Sequence, residues 1–148
     1  PLHTRNTKAF QGMNPVFADT FYFIAFINER DAAHRRALAF SRTFSGCIYT
    51  TAWILTEVAD ALADVERRMK VARFIESLRT DPLVRIIPPT RELFERGLAL
   101  YADRSDKSWS LTDCISFVVM NDEGLSDVLT GDHHFEQAGF NLLLASSL

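Results

Sequence analysis

Four acidic residues of this chain stand where short apolar runs give way to helical patterns. Asp19 and Asp132 follow such runs, and Glu57 and Asp113 lie early in the helices that the pattern predicts. In an open α/β sheet, groups at the carboxyl ends of parallel strands converge on one crevice. The sequence therefore predicts a cluster of negative charge at one edge of a sheet.

A cluster of carboxylates indicates a cation site. Like charges held close together repel each other, and in a protein interior they either take up protons or hold a cation. Hard cations such as Mg²⁺ and Mn²⁺ are bound by a few carboxylates plus water, which leaves positions open for phosphate oxygens. With such a metal the predicted reaction is phosphodiester hydrolysis, in which the metal activates water and stabilises the charge on the displaced oxygen.

Each acid also has a purely structural interpretation. Asp19 and Asp132 would serve as caps of the helices that follow them, and Asp113 stands third after Ser110, at the spacing of a capping box. Glu57 would be one more solvated helix residue. Helix capping alone does not require the four acids to share one sheet edge, whereas a parallel sheet would bring them there.

Other candidate metal ligands are weaker. His133 and His134 are adjacent, so in a helix or strand they point in different directions, and both are predicted to be surface residues. Cys47 and Cys114 lie inside apolar runs without metal-like spacing. They are interpreted as small buried side chains rather than as ligands or a disulfide.

Apolar runs and helical periodicity alternate along the chain. Predicted strands lie at 15–18, 47–51, 84–87, 128–130 and 140–144, and predicted helices at 21–28, 32–44 with Asp31 as its cap, 52–63, 66–79, 90–101, 111–122 and 133–137. Strands that alternate with helices imply a mainly parallel sheet covered by helices on both faces. The predicted fold class is α/β, a Rossmann-like three-layer sandwich.

Length and composition indicate one domain. The chain has 148 residues, and about 100 to 200 residues is the usual span of a domain. The stretch 1–12 is polar, lacks periodicity and is followed by Met13, so it is interpreted as an added leader before a single domain at 13–148. No run approaches the roughly 18 apolar residues that span a bilayer, so a cytoplasmic protein without a membrane partner is expected.

The charge of the chain bears on nucleic acid binding. A formal net charge of −3 makes the protein a poor general binder of nucleic acid, so any nucleic-acid substrate would be met through metal ions or a local basic patch. Basic residues that could guide such a substrate are Arg30, Arg35, Arg36, Arg67, Arg68, Lys70 and Arg73. Trp109 has two interpretations, a platform that stacks on an unpaired base or a buried core residue.

At these positions the sequence resembles the PIN-domain ribonucleases, in particular the VapC-type toxins of bacterial toxin-antitoxin pairs. The resemblance covers residues 13–148 in order. The segments that carry it are Val16-Phe17-Ala18-Asp19-Thr20, Thr51-Ala52-Trp53-Ile54-Leu55-Thr56-Glu57, Ser110-Leu111-Thr112-Asp113-Cys114 and Thr130-Gly131-Asp132-His133-His134-Phe135. The resemblance implies a PIN-like nuclease domain and a metal-dependent endoribonuclease, the toxin of a type II toxin-antitoxin pair.

The resemblance also implies roles for individual residues. The acids that would bind Mg²⁺ or Mn²⁺ and carry catalysis are Asp19, Glu57, Asp113 and Asp132. Thr20 would be a polar neighbour of the site. The sequence leaves open whether Asp60 or Asp106 also approaches the metal.

Two partners besides RNA follow from the resemblance, a second copy of the chain and a cognate protein antitoxin. The predicted first helix is apolar almost all round from Phe21 to Phe26, which a small domain buries only partly, so some of that surface should face a partner. The antitoxin is expected to bind near residues 21–44 and to extend an Arg toward Asp19 and Asp113.

Competing interpretations come from other classes of protein. A haloacid-dehalogenase-like phosphatase would carry a second acid where this chain has Phe21. A response-regulator receiver would need an early acidic pair and a late strand-end Lys, and the sequence has neither. The alternative that stays open is a non-catalytic PIN-like scaffold that binds a partner protein. Loss of one acid would favour the scaffold, and none of the four is lost.

Overall fold

The computed structural model describes residues 13–146, so the predicted leader at 1–12 lies outside the described residues. The strands are β1 (Val16–Ala18), β2 (Ile48–Thr51), β3 (Val84–Ile87), β4 (Asp127–Leu129) and β5 (Asn141–Leu142). The helices are α1 (Thr20–Ile27), α2 (His34–Thr43), α3 (Ala52–Ala61), α4 (Val65–Thr80), α5 (Arg91–Asp103), α6 (Leu111–Asp122) and α7 (His133–Gln137). Among the described helices, none combines the length and the apolar character needed to cross a membrane.

The strands form one parallel sheet in the order β3-β2-β1-β4-β5. β1 lies at the centre, where Phe17 pairs with Tyr49 of β2 and with Val128 of β4. Because the chain leaves β1 toward β2 and leaves β4 toward β5, the connections diverge at the carboxyl ends of β1 and β4. Such a switch point opens a crevice in a parallel sheet. The predicted α/β fold with a mainly parallel central sheet is confirmed.

Most predicted elements match the observed ones to within a few residues, but the start of α2 differs. Asp31 does not cap this helix, which begins at His34 with Ala33 in the capping position. Instead, the Asp31 carboxylate accepts a hydrogen bond of 2.8 Å from the Ala33 backbone N–H. An Asp that bonds the backbone two residues ahead closes a local turn, and this turn precedes the helix.

Aromatic side chains fill the core between the sheet and α6. The Phe117 ring packs edge-on against Phe135 and Trp109, with ring centroids 4.9 and 5.0 Å apart. Trp109 is only 6% exposed, and its indole N–H donates to the Gln137 side chain. Trp109 is therefore a core residue, and its ring is not available to stack on a base.

The most apolar helix, α1, folds into the core. The α1 residues that are buried outright are Thr20, Tyr22, Phe23, Ala25 and Ile27. Phe21, Ile24 and Phe26 are half-buried and pack against the same core. The prediction that a small domain covers this helix only in part therefore applies to these three side chains.

Helices α5 and α6 approach each other closely at Gly97. A Cβ added at Gly97 would overlap the side chain of Ile115 in α6 and would lie 3.2 Å from the Ile115 Cα. Since α6 carries Asp113 in its first turn, this contact also determines where that carboxylate lies.

Gly97→Val should lower the free energy of unfolding by about 1–3 kcal/mol, the usual cost of adding bulk to a packed contact. The matched control is Ala99→Val on the exposed face of the same helix, which should cost at most about 0.7 kcal/mol in helix propensity. Chemical denaturation of both variants measures the difference. Equal losses in the two variants would contradict the close approach.

Candidate active site

The ends of β1 and β4 are joined by a hydroxyl. Thr130 Oγ1 donates to Asp19 Oδ2 over 2.9 Å and accepts from the Asp132 backbone N–H over 3.1 Å. Thr130 is itself fully buried. The crevice at the switch point of the sheet therefore holds Asp19 and Asp132 in fixed relation to each other.

The helix-capping interpretation is right for two acids and wrong for a third. Asp113 and Ser110 form the predicted capping box: Ser110 N–H donates to Asp113 Oδ2 over 3.0 Å, and Asp113 N–H donates to Ser110 Oγ over 2.9 Å. Asp132 caps α7 by accepting from the His134 N–H. Asp19 precedes α1, but its side chain makes no capping hydrogen bond. Its burial therefore has no explanation in helix capping.

Burial and neighbouring charge act together on Asp19. The residue is only 5% exposed, and its pKa is raised from 3.8 to about 7. Burial is the largest cause and the charges of Asp113 and Glu57 add to it, while hydrogen bonds from the Thr130 hydroxyl and the Thr20 backbone act in the opposite direction. Asp19 is therefore a buried acid whose ionised form is only partly stabilised by its hydrogen bonds.

The remaining acids belong to the same electrostatic cluster. Burial raises the pKa of Asp113, and the charge of Asp132 adds to that increase, against the lowering effects of the Ser110 N–H and of His134. Glu57 is half-buried on α3 and acts on Asp19 through its charge. Within residues 13–146, neither Lys nor Arg forms an ion pair with Asp19, Glu57, Asp113 or Asp132.

The two further acids considered from the sequence lie in different surroundings. Asp106 is exposed and receives two hydrogen bonds, of 2.9 and 3.0 Å, from the Arg104 guanidinium. This pairing lowers the Asp106 pKa to about 2, so its charge is already matched. Asp60 is exposed on α3, one turn beyond Glu57. Neither residue is among the causes of the Asp19 or Asp113 pKa shifts.

The structure corrects the prediction for one histidine. His133 is a surface residue, with 72% of its side chain exposed, but the His134 side chain is only 22% exposed. Its Nδ1 lies 3.2 Å from Asp113 Oδ2 and 3.5 Å from Asp132 Oδ1. Local spacing gives no sign of this contact, because it depends on how α7 packs against α6.

The donor set suits a divalent cation. One ligand atom from each of Asp113, Asp132 and His134 falls within 4.8 Å of the others, which is close enough for one ion. Next to Asp19, the buried Thr20 hydroxyl has no hydrogen-bond partner among the described residues. Carboxylates with few other ligands favour hard divalent ions, and the remaining positions can take water or phosphate oxygens.

Comparisons with known proteins identify the family to which the chain belongs. The PIN domain family model matches residues 16–141, and the chain belongs to that family. It is 27% identical over 127 residues to the 23S rRNA-specific endonuclease VapC20 of Mycobacterium tuberculosis, covering 84% of this chain and 95% of that protein.

Solved structures give the same result. The crystal structure of M. tuberculosis VapC20, described as a sarcin-ricin loop cleaving toxin, superposes with a TM-score of 0.76 at 26% identity over 85% of this chain and 96% of that one. FitAcB from Neisseria gonorrhoeae has a TM-score of 0.61 at 19% identity, covering 86% of this chain and 95% of that one, and shows the fold alone. The predicted class, a PIN-domain ribonuclease of the VapC type, is confirmed.

The raised pKa of Asp19 gives a pH prediction for the metal-free protein. Between the ordinary value of 3.8 and about 7, folded Asp19 holds a proton that the unfolded chain has released. The stability that Asp19 contributes should therefore fall as pH rises through this window, with a slope of up to about 1.4 kcal/mol per pH unit.

Denaturation in EDTA at a series of pH values measures this slope. Asp19→Asn should flatten it and should be more stable than wild type above pH 7, because the amide cannot ionise. Asp60→Asn, which changes an exposed acid, should keep the wild-type slope. An unchanged slope in Asp19→Asn would contradict the assignment.

Proposed function

We propose that Asp19, Glu57, Asp113 and Asp132 bind Mg²⁺ or Mn²⁺ and form the catalytic site of this ribonuclease. The observation that carries the proposal is the buried carboxyl of Asp19, which lies in the field of two other acids without a Lys or Arg partner within residues 13–146. A divalent cation supplies the missing positive charge. When bound, such an ion polarises water and stabilises charge on the displaced oxygen of a phosphodiester.

Neighbouring groups hold the acids ready for this role. The Thr130 hydroxyl orients Asp19 through Oδ2, and the Ser110 N–H orients Asp113 through Oδ2. The Thr20 hydroxyl, which is buried and has no hydrogen-bond partner among the described residues, is a further polar group beside Asp19. A site whose ligands are oriented before binding loses less entropy when it closes on the substrate.

We infer that the substrate is RNA in a loop or single strand. The relative VapC20 is named for cleavage of 23S rRNA, so a stem-loop that carries the sarcin-ricin sequence is the first substrate to test. Loops present unstacked bases and accessible phosphates, which a helical duplex does not. A ribosomal substrate also agrees with the proposed cytoplasmic location.

The non-catalytic scaffold explains the site less well. A partner-binding surface does not require a buried carboxyl whose pKa is raised by burial and by neighbouring acids. Burying an acid beside like charges costs stability. Residues that lower stability in this way are characteristic of functional sites. The buried position of Asp19 therefore favours catalysis over scaffolding.

Removing single acids tests the catalytic proposal. Glu57→Gln and Asp113→Asn should each lower cleavage of the stem-loop by about 100-fold or more, since each removes a few kcal/mol of charge stabilisation. The matched control for Glu57→Gln is Asp60→Asn, an exposed acid on the same helix, which should cleave like wild type. Wild-type cleavage by Asp113→Asn, or full activity in EDTA, would overturn the proposal.

We propose that the antitoxin binds a groove between α1, α2 and α4. The groove has a volume of about 470 Å³ and an apolar floor that includes Phe26, Leu38 and Phe74. Its charged lining is two basic side chains, Lys70 and Arg73, and one acid, Glu29. Lys70 also donates to the Ile27 carbonyl at the end of α1. This location falls partly within the residues 21–44 expected from the sequence and extends the surface to α4. An apolar antitoxin segment with acidic flanks would fit this groove. The antitoxin would extend an Arg from there toward Asp19 and Asp113.

We propose that a second copy of the chain contacts α5 rather than α1. Phe94, Leu98 and Tyr101 recur at helical spacing on α5 and are 42%, 44% and 49% exposed. A row of exposed apolar side chains on one helix face is typical of an interaction surface. The apolar side chains of α1 are, by contrast, buried or half-buried.

Two substitutions separate the proposed surfaces. Leu38→Glu places a charge in the groove and should abolish antitoxin binding while leaving the free protein dimeric. Leu98→Glu should give a monomer that still binds the antitoxin. Size-exclusion chromatography with and without the co-expressed small protein encoded beside this one measures both. Antitoxin binding retained by Leu38→Glu would contradict the groove, and a dimeric Leu98→Glu would contradict the α5 surface.

A further inference from the structure

The His134 imidazole lies between two acids of the proposed metal site. Its Nδ1 hydrogen-bonds with Asp113 Oδ2 over 3.2 Å and lies 3.5 Å from Asp132 Oδ1. An ionised carboxylate oxygen can only accept a hydrogen bond, so Nδ1 carries the hydrogen and donates it. A nitrogen that donates in this way has no lone pair to offer a cation.

Each carboxylate oxygen that faces His134 also accepts a hydrogen bond from a backbone N–H. Asp113 Oδ2 accepts from the Ser110 N–H, and Asp132 Oδ1 accepts from the His134 N–H over 2.9 Å. Within residues 13–146, every hydrogen bond to these two carboxylates ends on Asp113 Oδ2 or Asp132 Oδ1. The opposite oxygens, Asp113 Oδ1 and Asp132 Oδ2, are therefore left for a cation.

We propose that His134 is a positioning residue that fixes the rotation of the Asp113 and Asp132 carboxylates, so that one oxygen of each faces the metal. This inference deepens the proposed function and rests on it. Without the imidazole, the Asp113 carboxylate would keep only its backbone bond, and the Asp132 carboxylate would lose the ring nitrogen that lies 3.5 Å away, so both could rotate about their backbone bonds. Hydrogen-bond partners of metal ligands act in this way, and their removal typically weakens metal binding by about 10- to 100-fold.

Direct coordination by His134 is the competing role. The two ring nitrogens point in diverging directions, so a ring that donates from Nδ1 to the carboxylates directs Nε2 away from them. The imidazole therefore orients the carboxylates by hydrogen bonding and does not itself coordinate the metal. Electron spin echo measurements on bound Mn²⁺ distinguish the two roles. A directly coordinated ¹⁴N nucleus modulates the echo strongly, whereas a more distant one modulates it weakly.

The experiment titrates Mn²⁺ into the full chain and measures bound and free ion by electron paramagnetic resonance. His134→Leu should weaken Mn²⁺ binding by about 10- to 100-fold, because it keeps the bulk and removes the donor. His134→Asn should bind within about threefold of wild type, since its amide N–H can replace Nδ1–H at a similar distance from the backbone. Spin-echo spectra of wild type should lack the signature of a directly bound ¹⁴N.

The matched control is His133→Leu, which changes the exposed neighbour whose ring nitrogen is 3.9 Å from Asp132, beyond hydrogen-bond distance. It should bind Mn²⁺ like wild type. If His134→Leu does not fold, His134→Ala removes the donor without adding bulk and should show the same loss.

The outcomes separate this inference from the proposed function. Wild-type Mn²⁺ affinity in the folded Leu or Ala variant, a directly bound ¹⁴N, or failure of Asn to restore binding would overturn the role of His134. If Asp113→Asn loses Mn²⁺ binding in the same assay, the proposed metal site stands even where the role of His134 is overturned. Wild-type protein that binds no Mn²⁺ would overturn both.

Discussion

The structure depends on one electrostatic constraint: a buried carboxylate beside other carboxylates must take up a proton or hold a cation. Asp19 meets this constraint at the centre of the sheet, where burial and the charges of Asp113 and Glu57 raise its pKa to about 7. The sheet order creates the crevice at the ends of β1 and β4 in which these acids meet. A bound cation would relieve the cost in stability that this arrangement imposes on the metal-free protein.

The acids are held by the same bonds that build the secondary structure. Asp113 closes the capping box of α6, and Asp132 caps α7. Each cap uses a single oxygen of its carboxylate, so capping and metal binding do not compete. The capping role of these two acids is therefore compatible with the proposed metal-binding role, because a carboxylate has two oxygens that can serve different partners.

Much of the fold could be predicted from the sequence because its signals are local. Apolar runs and helical periodicity gave β3 at its observed bounds and α6 at 111–122. Strand-terminal acids likewise indicated the cluster, since parallel strands end at one edge. Predictions that needed packing were less successful. Asp31 closes a turn instead of capping α2, and Trp109, for which the sequence allowed two roles, proved to be buried.

The sequence by itself determined which residue types follow each strand, and so which chemistry the crevice can carry. Only the tertiary structure decided that His134 turns inward while its neighbour His133 stays exposed. Both histidines stand in the first turn of α7, and their local patterns are the same. The difference arises because α7 packs beside α6, which brings Asp113 within 3.2 Å of one ring and leaves the other in solvent.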